Sequence, residues 1–453
     1  MKKTLNPLIF IDSVKKINKR LYLALLIMGL CPTLYTTLRV FFLGQFPGEW
    51  SYSIAGQLSW VNLIYEVINE AIILPLYYFM GSAVSDKREF SNKIRSGLLV
   101  SFLIYSVCSL FVFVFIHPLL QFMAVSPEII GQSAVYIRIE CIASVFGILY
   151  SFLLVSLVSV GKDKLVYLMT GAKLILSVIL DIFLVSNLPV SLKLGVNGIG
   201  ISNIISNLLL FIVAAVLIQK SGYTLTSKER LSFAWMKDFA KIGFISGLES
   251  FVRNAAYMLM VSRMVNVVGE QGTYWVANNF IWGWLLLPIN QLAELIKQET
   301  SKDWNAVKEN TPGYFLITTI TCLLWFVLLP GYKPFMRYVL GFEEVDKLFT
   351  LVLVLLGFYV LYAYQNIFDA TFYGRGKTNY MLFESVVTNS IYYGLFFILY
   401  IMGKWTPTLI GIAFMFGGGN AFDSVVSFLA YRFYRKKYID TEFPGTKKYN
   451  KKL

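Results

Sequence analysis

Ionisable residues recur in this chain inside stretches that are otherwise apolar. Glu66 and Glu70 stand with Asn62 and Asn69 at spacings of three and four, so a helix there carries them as one polar stripe. Lys173, Ser177 and Asp181 fall four apart in a second stretch, and Arg39, Arg138, Arg253 and Arg263 each lie in an apolar run of their own. Glu140, Glu249, Glu294, Asp369, Glu384 and Asp423 complete the set. Such groups either form structural ion pairs or face a wet cavity, where a carboxylate can take up and release a cation. Asp181, Glu66, Glu70, Asp369 and Glu294 are the candidates for that exchange. Arg39, Lys173, Glu249, Arg253 and Arg263 are candidates for ion pairs or cavity walls. Asn62, Asn69, Asn279, Trp282, Asn290, Tyr362 and Gln365 give their segments polar and aromatic faces suited to an amphiphilic organic ligand. No catalytic nucleophile motif, nucleotide loop or metal cluster is legible. Cys31, Cys108, Cys141 and Cys322 stand singly, and the one histidine, His117, precedes Pro118. An enzyme is therefore not expected, and no cofactor beyond an exchangeable Na⁺ or H⁺.

The elements that must position these groups follow from composition. Of 453 residues, 57% are hydrophobic and only 15% charged, with a mean hydropathy of +0.64; a soluble chain carries about 25% charged residues. Helices of about 22 residues cross a hydrocarbon core of roughly 30 Å. Twelve such spans are read at 21–44, 54–80, 96–117, 132–160, 165–187, 195–218, 241–268, 272–296, 313–331, 346–373, 380–402 and 408–432. What remains is too short for a soluble domain, which excludes a cytosolic enzyme and a nucleic-acid-binding module. The basic residues after Met1 lead into an apolar run without a small-residue cleavage pattern, so the run reads as the first span and not as a signal peptide.

The net charge of +14 is distributed asymmetrically. With the spans alternating in direction, 30 of the 40 Lys and Arg residues fall on the side of the two chain ends and 5 on the other. Cytoplasmic loops carry the basic excess, so both ends are expected in the cytoplasm of a cell (inner) membrane protein. The expected layout is a basic tail (1–20), a first lobe (21–218), a basic linker (219–240), a second lobe (241–433) and a basic tail (434–453). Its partners are the lipid bilayer and a small organic molecule, not nucleic acid, and it is expected to be a monomer.

The two halves look like copies. Span 1 ends with Arg39 ahead of Gly44 and span 7 with Arg263 ahead of Gly269; span 2 opens Ser59-Trp60-Val61-Asn62 and carries Pro75, while span 8 opens Tyr274-Trp275-Val276-Ala277-Asn278 and carries Pro288. Gly161-Lys162-Asp163-Lys164 follows span 4, and Gly374-Arg375-Gly376-Lys377 follows span 10. Six spans per half, entered from the same side, make a parallel repeat, an architecture common in secondary transporters. The fold class is thus an all-α integral membrane protein of twelve transmembrane helices in two pseudo-symmetric lobes.

These features, with Leu194-Gly195-Val196-Asn197-Gly198-Ile199-Gly200-Ile201-Ser202 opening span 6, Tyr136-Ile137-Arg138-Ile139 in span 4 and Leu287-Pro288 in span 8, resemble the MATE (multidrug and toxic compound extrusion) family, within the superfamily that also holds polysaccharide flippases. The resemblance implies a V-shaped pair of lobes, alternating access, and antiport of organic compounds against Na⁺ or H⁺. Flipping of a lipid-linked oligosaccharide is the alternative, and would call for a more basic central cavity. Asp181 matches the acidic residue that similar proteins use for coupling in span 5, with Ser177 in place of their usual Asn. Two family acids are replaced by bases: Arg39 stands where an aspartate is frequent, and Arg253 where a glutamate is. Glu66 or Glu70 is the expected partner of Arg39, and Glu249 that of Arg253. Asp181 then remains as the carboxylate free to exchange a cation.

Overall fold

Each apolar run folds as a helix because, in hydrocarbon, the backbone can satisfy its own polar groups only within the segment. The computed structural model describes residues 8–46, 50–81, 83–226 and 229–438, apart from the side chains of Leu8, Leu74, Tyr77, Tyr78, Asp163 and Glu249. Lys19–Gly44, Trp50–Gly81, Lys87–Phe122, Pro127–Ser159, Asp163–Leu184 and Val196–Lys220 form spans 1 to 6. The second half follows at 236–267, 271–302, 311–338, Val345–Gly374, Thr378–Ile401 and Leu409–Tyr438. Among the described residues every element is helical. On span 3 the exposed Val107, Leu110, Phe111 and Val114 make one stripe while Tyr105, Ser109, Val112 and Ile116 face inward. The outward face of this span is thus apolar, as a lipid-facing surface must be.

Eight of these helices are individually long and apolar enough to cross a membrane, and a ninth is the bent span 9. Spans 2, 7 and 8 fall outside that set, and they are the spans that meet between the lobes. Spans 7, 8 and 11 are each interrupted by a π turn, at Met258–Ser262, Ile281–Leu285 and Thr388–Tyr393. In span 8 the cause is local: Pro288 has no N–H to continue the ladder, and the Leu286 N–H reaches back to the Ile281 carbonyl at 2.8 Å. Trp282 lies in that turn and lines the cavity between the lobes. Span 9 bends by 68° between Thr311–Val327 and Leu329–Tyr338, where Pro330 opens the second helix.

The structure adds one helix to the sequence reading. Residues expected to be a tail form the helix Leu8–Lys16, which packs on the start of span 9. Ser13 Oγ donates to the Glu309 carbonyl at 2.6 Å and accepts from the Gly313 N–H at 2.8 Å, and Lys16 pairs with Glu309 at 2.8 Å. Span 1 continues along the second lobe: Tyr22 donates to the Pro288 carbonyl and Thr33 to that of Gly283. The N-terminal segment therefore straps the two halves together.

Spans 2 and 7 run antiparallel along the seam between the lobes. A Cβ on Gly243 would collide with the Ala71 carbonyl, and one on Gly247 would press on the Ala71 side chain. Backbone carbonyls cannot yield as a flexible side chain can, so Gly243→Val is expected to force the spans apart at a cost of about 1–3 kcal/mol. Thermal unfolding in detergent measures this, and an unchanged midpoint would show that the seam is loosely packed.

Candidate functional site

Four groups of polar residues inside the bundle gather most of the candidate residues. The first is built by spans 1, 4, 5 and 6. Arg39 Nε donates to Asp181 Oδ2 at 2.8 Å, and its second arm reaches Asp181 Oδ1 at 3.3 Å and Asn203 Oδ1 at 3.1 Å. Asn203 in turn donates to Glu140 at 2.8 Å. The planar guanidinium thus grips the carboxylate with both arms, and it lies 4.6 Å from the centre of the Tyr35 ring. Asp181 is only 1% exposed. Two expectations are corrected here. Arg39 pairs with Asp181 and not with Glu66 or Glu70, and Asp181 is not a carboxylate without a basic neighbour. The partner of Arg39 comes from a helix 142 residues away in the chain, a proximity that spacing along the sequence does not report.

The second group crosses the seam. Arg253 of span 7 donates to Glu66 at 3.0 Å and Glu70 at 2.9 Å on span 2. Glu249 cannot be placed in this group, because its side chain lies outside the described residues. The three partners are 38%, 42% and 23% exposed, so solvent screens them and each pair is worth at most about 1 kcal/mol. Glu66→Gln with Glu70→Gln is therefore expected to leave the unfolding midpoint nearly unchanged, while raising the reactivity of a cysteine at Ser59 between the lobes. Unchanged reactivity would show that the ion pairs do not hold the seam.

The third group surrounds a cavity of about 380 Å³ between the lobes, bounded by Thr33 and Thr36 of span 1, Ser59 of span 2, and Trp275, Asn278 and Trp282 of span 8. Asn279 also faces it, its amide donating to the Trp275 carbonyl at 2.8 Å. Asn278 donates to the Tyr257 hydroxyl, and its Oδ1 is buried without a hydrogen bond. Trp282 meets Tyr362 edge-on at 5.6 Å between ring centres. Asn290 accepts from Asn366 at 3.3 Å, next to the strap. Asn62 is exposed and Asn69 half-buried on the polar face of span 2.

The fourth group lies inside the second lobe and joins spans 10, 11 and 12. The Gln365 amide donates to Asp369 at 3.1 Å and to Asp423 at 2.6 Å. Ser427 donates to the other oxygen of Asp369 at 2.7 Å, and Thr388 to the other oxygen of Asp423 at 2.6 Å. Glu384, 2% exposed, lies against both aspartates, and its Oε1 has no hydrogen bond. Among the described residues no Lys or Arg pairs with this cluster. Glu384 is buried and Asp369 and Asp423 half-buried, so charge on all three at once is opposed by mutual repulsion unless a cation joins them. Of the acids proposed for exchange only Asp369 belongs here. Glu384 and Asp423 were not among those candidates, and Asp423 follows the run Gly417-Gly418-Gly419. Those glycines do pack closely, Gly417 on Phe358 and Gly418 on Tyr392, but Asp423 one turn further on faces the cluster. A signal was present: Gln365/Asp369, Glu384/Thr388 and Asp423/Ser427 are all spaced four apart.

The other candidates lie elsewhere. Glu294 pairs with Lys297 at 2.6 Å near the end of span 8. Lys173 sits over the Tyr150 ring at 5.3 Å. Arg263 donates to the Phe122 carbonyl at 2.8 Å. That last bond is part of a seal at the face opposite the chain ends. There Gln57 and Asn266 exchange hydrogen bonds, Asn266 donates to the Met123 carbonyl, and Gln271 donates to the Gly56 carbonyl. Each bond joins one half of the chain to the other, so the lobes are closed together on that face.

The fold is that of MATE transporters. Residues 79–183 match the family model described as MatE. The inward-facing conformation of a multidrug resistance MATE family transporter of the MOP superfamily aligns with a TM-score of 0.75 at 18% identity, over 93% of this chain and 99% of that one. The outward-facing conformation of such a transporter aligns at 0.63 and 18% identity, over 94% and 98%. A MOP superfamily transporter from Pyrococcus furiosus Vc1, for which reverse polarity of the binding pocket suggests a different function, aligns at 0.63 and 17% identity, over 94% and 98%. No curated protein matches the chain.

Proposed function

We propose that this protein is a proton-coupled antiporter that exports amphiphilic organic compounds by alternating access. The observation that carries the reading is the cluster of Asp369, Glu384 and Asp423, three buried or half-buried acids with no basic partner among the described residues. With Arg39 bound to Asp181, the first lobe already holds a permanent cation, so exchange moves to the second lobe. An amide N–H from Gln365 stands between the two aspartates, where a metal ion would call for an oxygen. This donor set favours a proton over Na⁺. The basic loops orient both chain ends toward the cytoplasm, so the seal closes the outer face and the cavity loads from inside. Trp275 and Trp282 supply flat apolar surfaces, and Asn278 and Asn279 supply edges for hydrogen bonding, which suits a planar amphiphile.

Reconstituted protein with ethidium as the probe tests this. A pH gradient imposed alone is expected to drive ethidium movement, and a Na⁺ gradient at equal pH to drive none. Transport driven only by Na⁺ would overturn the proton assignment, and movement that needs no gradient would overturn coupling.

A further inference from the structure

The strap helix does more than cover the second lobe. Together with spans 9, 10 and 12 it encloses a cleft of about 610 Å³ at the end of the bundle that carries both chain ends. The floor is apolar: Phe10 of the strap, Phe315 and Leu316 of span 9, and Tyr364 of span 10. Phe315 stacks on Tyr364 at 5.7 Å, and the Tyr364 hydroxyl is held by Thr319 at 2.8 Å, so its polar end is satisfied within the wall. The rim is basic, with Lys308 on one side and Arg435, from the end of span 12, on the other. Lys308 is exposed and has no acidic partner among the described residues. Among the described acids of this region, Asp12 pairs with Lys15, Glu309 with Lys16, and Glu299 accepts from the Asn18 N–H, Asn310 and Tyr314.

We propose that this cleft binds an anionic phospholipid of the adjacent leaflet, its phosphate between Lys308 and Arg435 and an acyl chain along Phe315 and Leu316. A basic rim over an apolar trough matches the two ends of that molecule. The cytoplasmic leaflet, to which the basic loops assign this face, is also the one rich in anionic lipid. Because Phe10 forms one wall, lipid occupancy also fastens the strap to the second lobe. A zwitterionic lipid would offer the same chain but oppose the rim with its own positive group.

Native mass spectrometry of the full-length protein, released from detergent containing either phosphatidylglycerol or phosphatidylcholine, tests the assignment. Wild type is expected to retain one phosphatidylglycerol in preference to phosphatidylcholine. Lys308→Gln with Arg435→Gln should weaken that retention roughly tenfold or more, given two basic residues at a charged surface, and leave phosphatidylcholine retention unchanged. Leu316→Trp, which fills the trough, should reduce retention of both. The unfolding midpoint of each variant identifies any that fails to fold, and the charge pair alone then decides. Equal retention of the two lipids by wild type, or undiminished phosphatidylglycerol retention by a folded charge variant, would overturn the proposal.

Discussion

Replacing Arg39 by alanine is expected to cost about 3–5 kcal/mol of stability, the usual penalty for stripping one partner from a buried ion pair. Asp181 would be left 1% exposed with no counter-charge, and Asn203 would lose the donor that fixes its orientation toward Glu140. The combined variant Arg39→Ala with Asp181→Asn removes both charges and should recover much of the loss. Arg39→Lys keeps the charge but not the two-armed grip, and should fall between wild type and Arg39→Ala. Thermal unfolding in detergent provides the measurement. If Arg39→Ala unfolded with the double variant or above it, the pair would not be the source of stability. By the same logic Asp181→Asn, which would be a simple test of coupling were Asp181 unpaired, is expected to destabilise the first lobe by stranding Arg39.

Asp369→Asn is expected to abolish transport driven by a pH gradient while leaving the protein folded. The substitution keeps shape and can still accept from Ser427, but it removes one of three carboxyl groups and with it the capacity to exchange a proton. Relief of like-charge crowding makes the variant no less stable than wild type, in contrast to Arg39→Ala. Ethidium movement in proteoliposomes, compared with ethidium binding to the same variant in detergent, separates coupling from recognition. Binding retained with driven transport lost is the expected pair of results. Full driven transport would remove Asp369 from the mechanism and, with it, the cluster as the coupling site.

The number and class of elements was legible from sequence because hydrocarbon imposes it: apolar runs of helical length have one solution in a membrane, and all twelve spans are found as helices. The parallel repeat was legible for the same kind of reason, since matching motifs such as Trp60 and Trp275 recur at matching places. The intramembrane groups were also visible, because a charge in an apolar run stands out in any window. Which charge meets which was not. Arg39 had acids within reach on span 2 in a diagram of neighbouring helices, yet the packing of spans 1, 5 and 6 delivers it to Asp181 and Asn203 and leaves Glu66 and Glu70 to Arg253 across the seam. Glu384 and Asp423 gained their meaning only when spans 10, 11 and 12 brought three acids together and left the bases elsewhere. Sequence determines which helices form, because that depends on the local balance of apolar surface and backbone hydrogen bonding. Tertiary structure decided the ion pairs, because the interaction between two charges depends on a separation set by helices far apart in the chain.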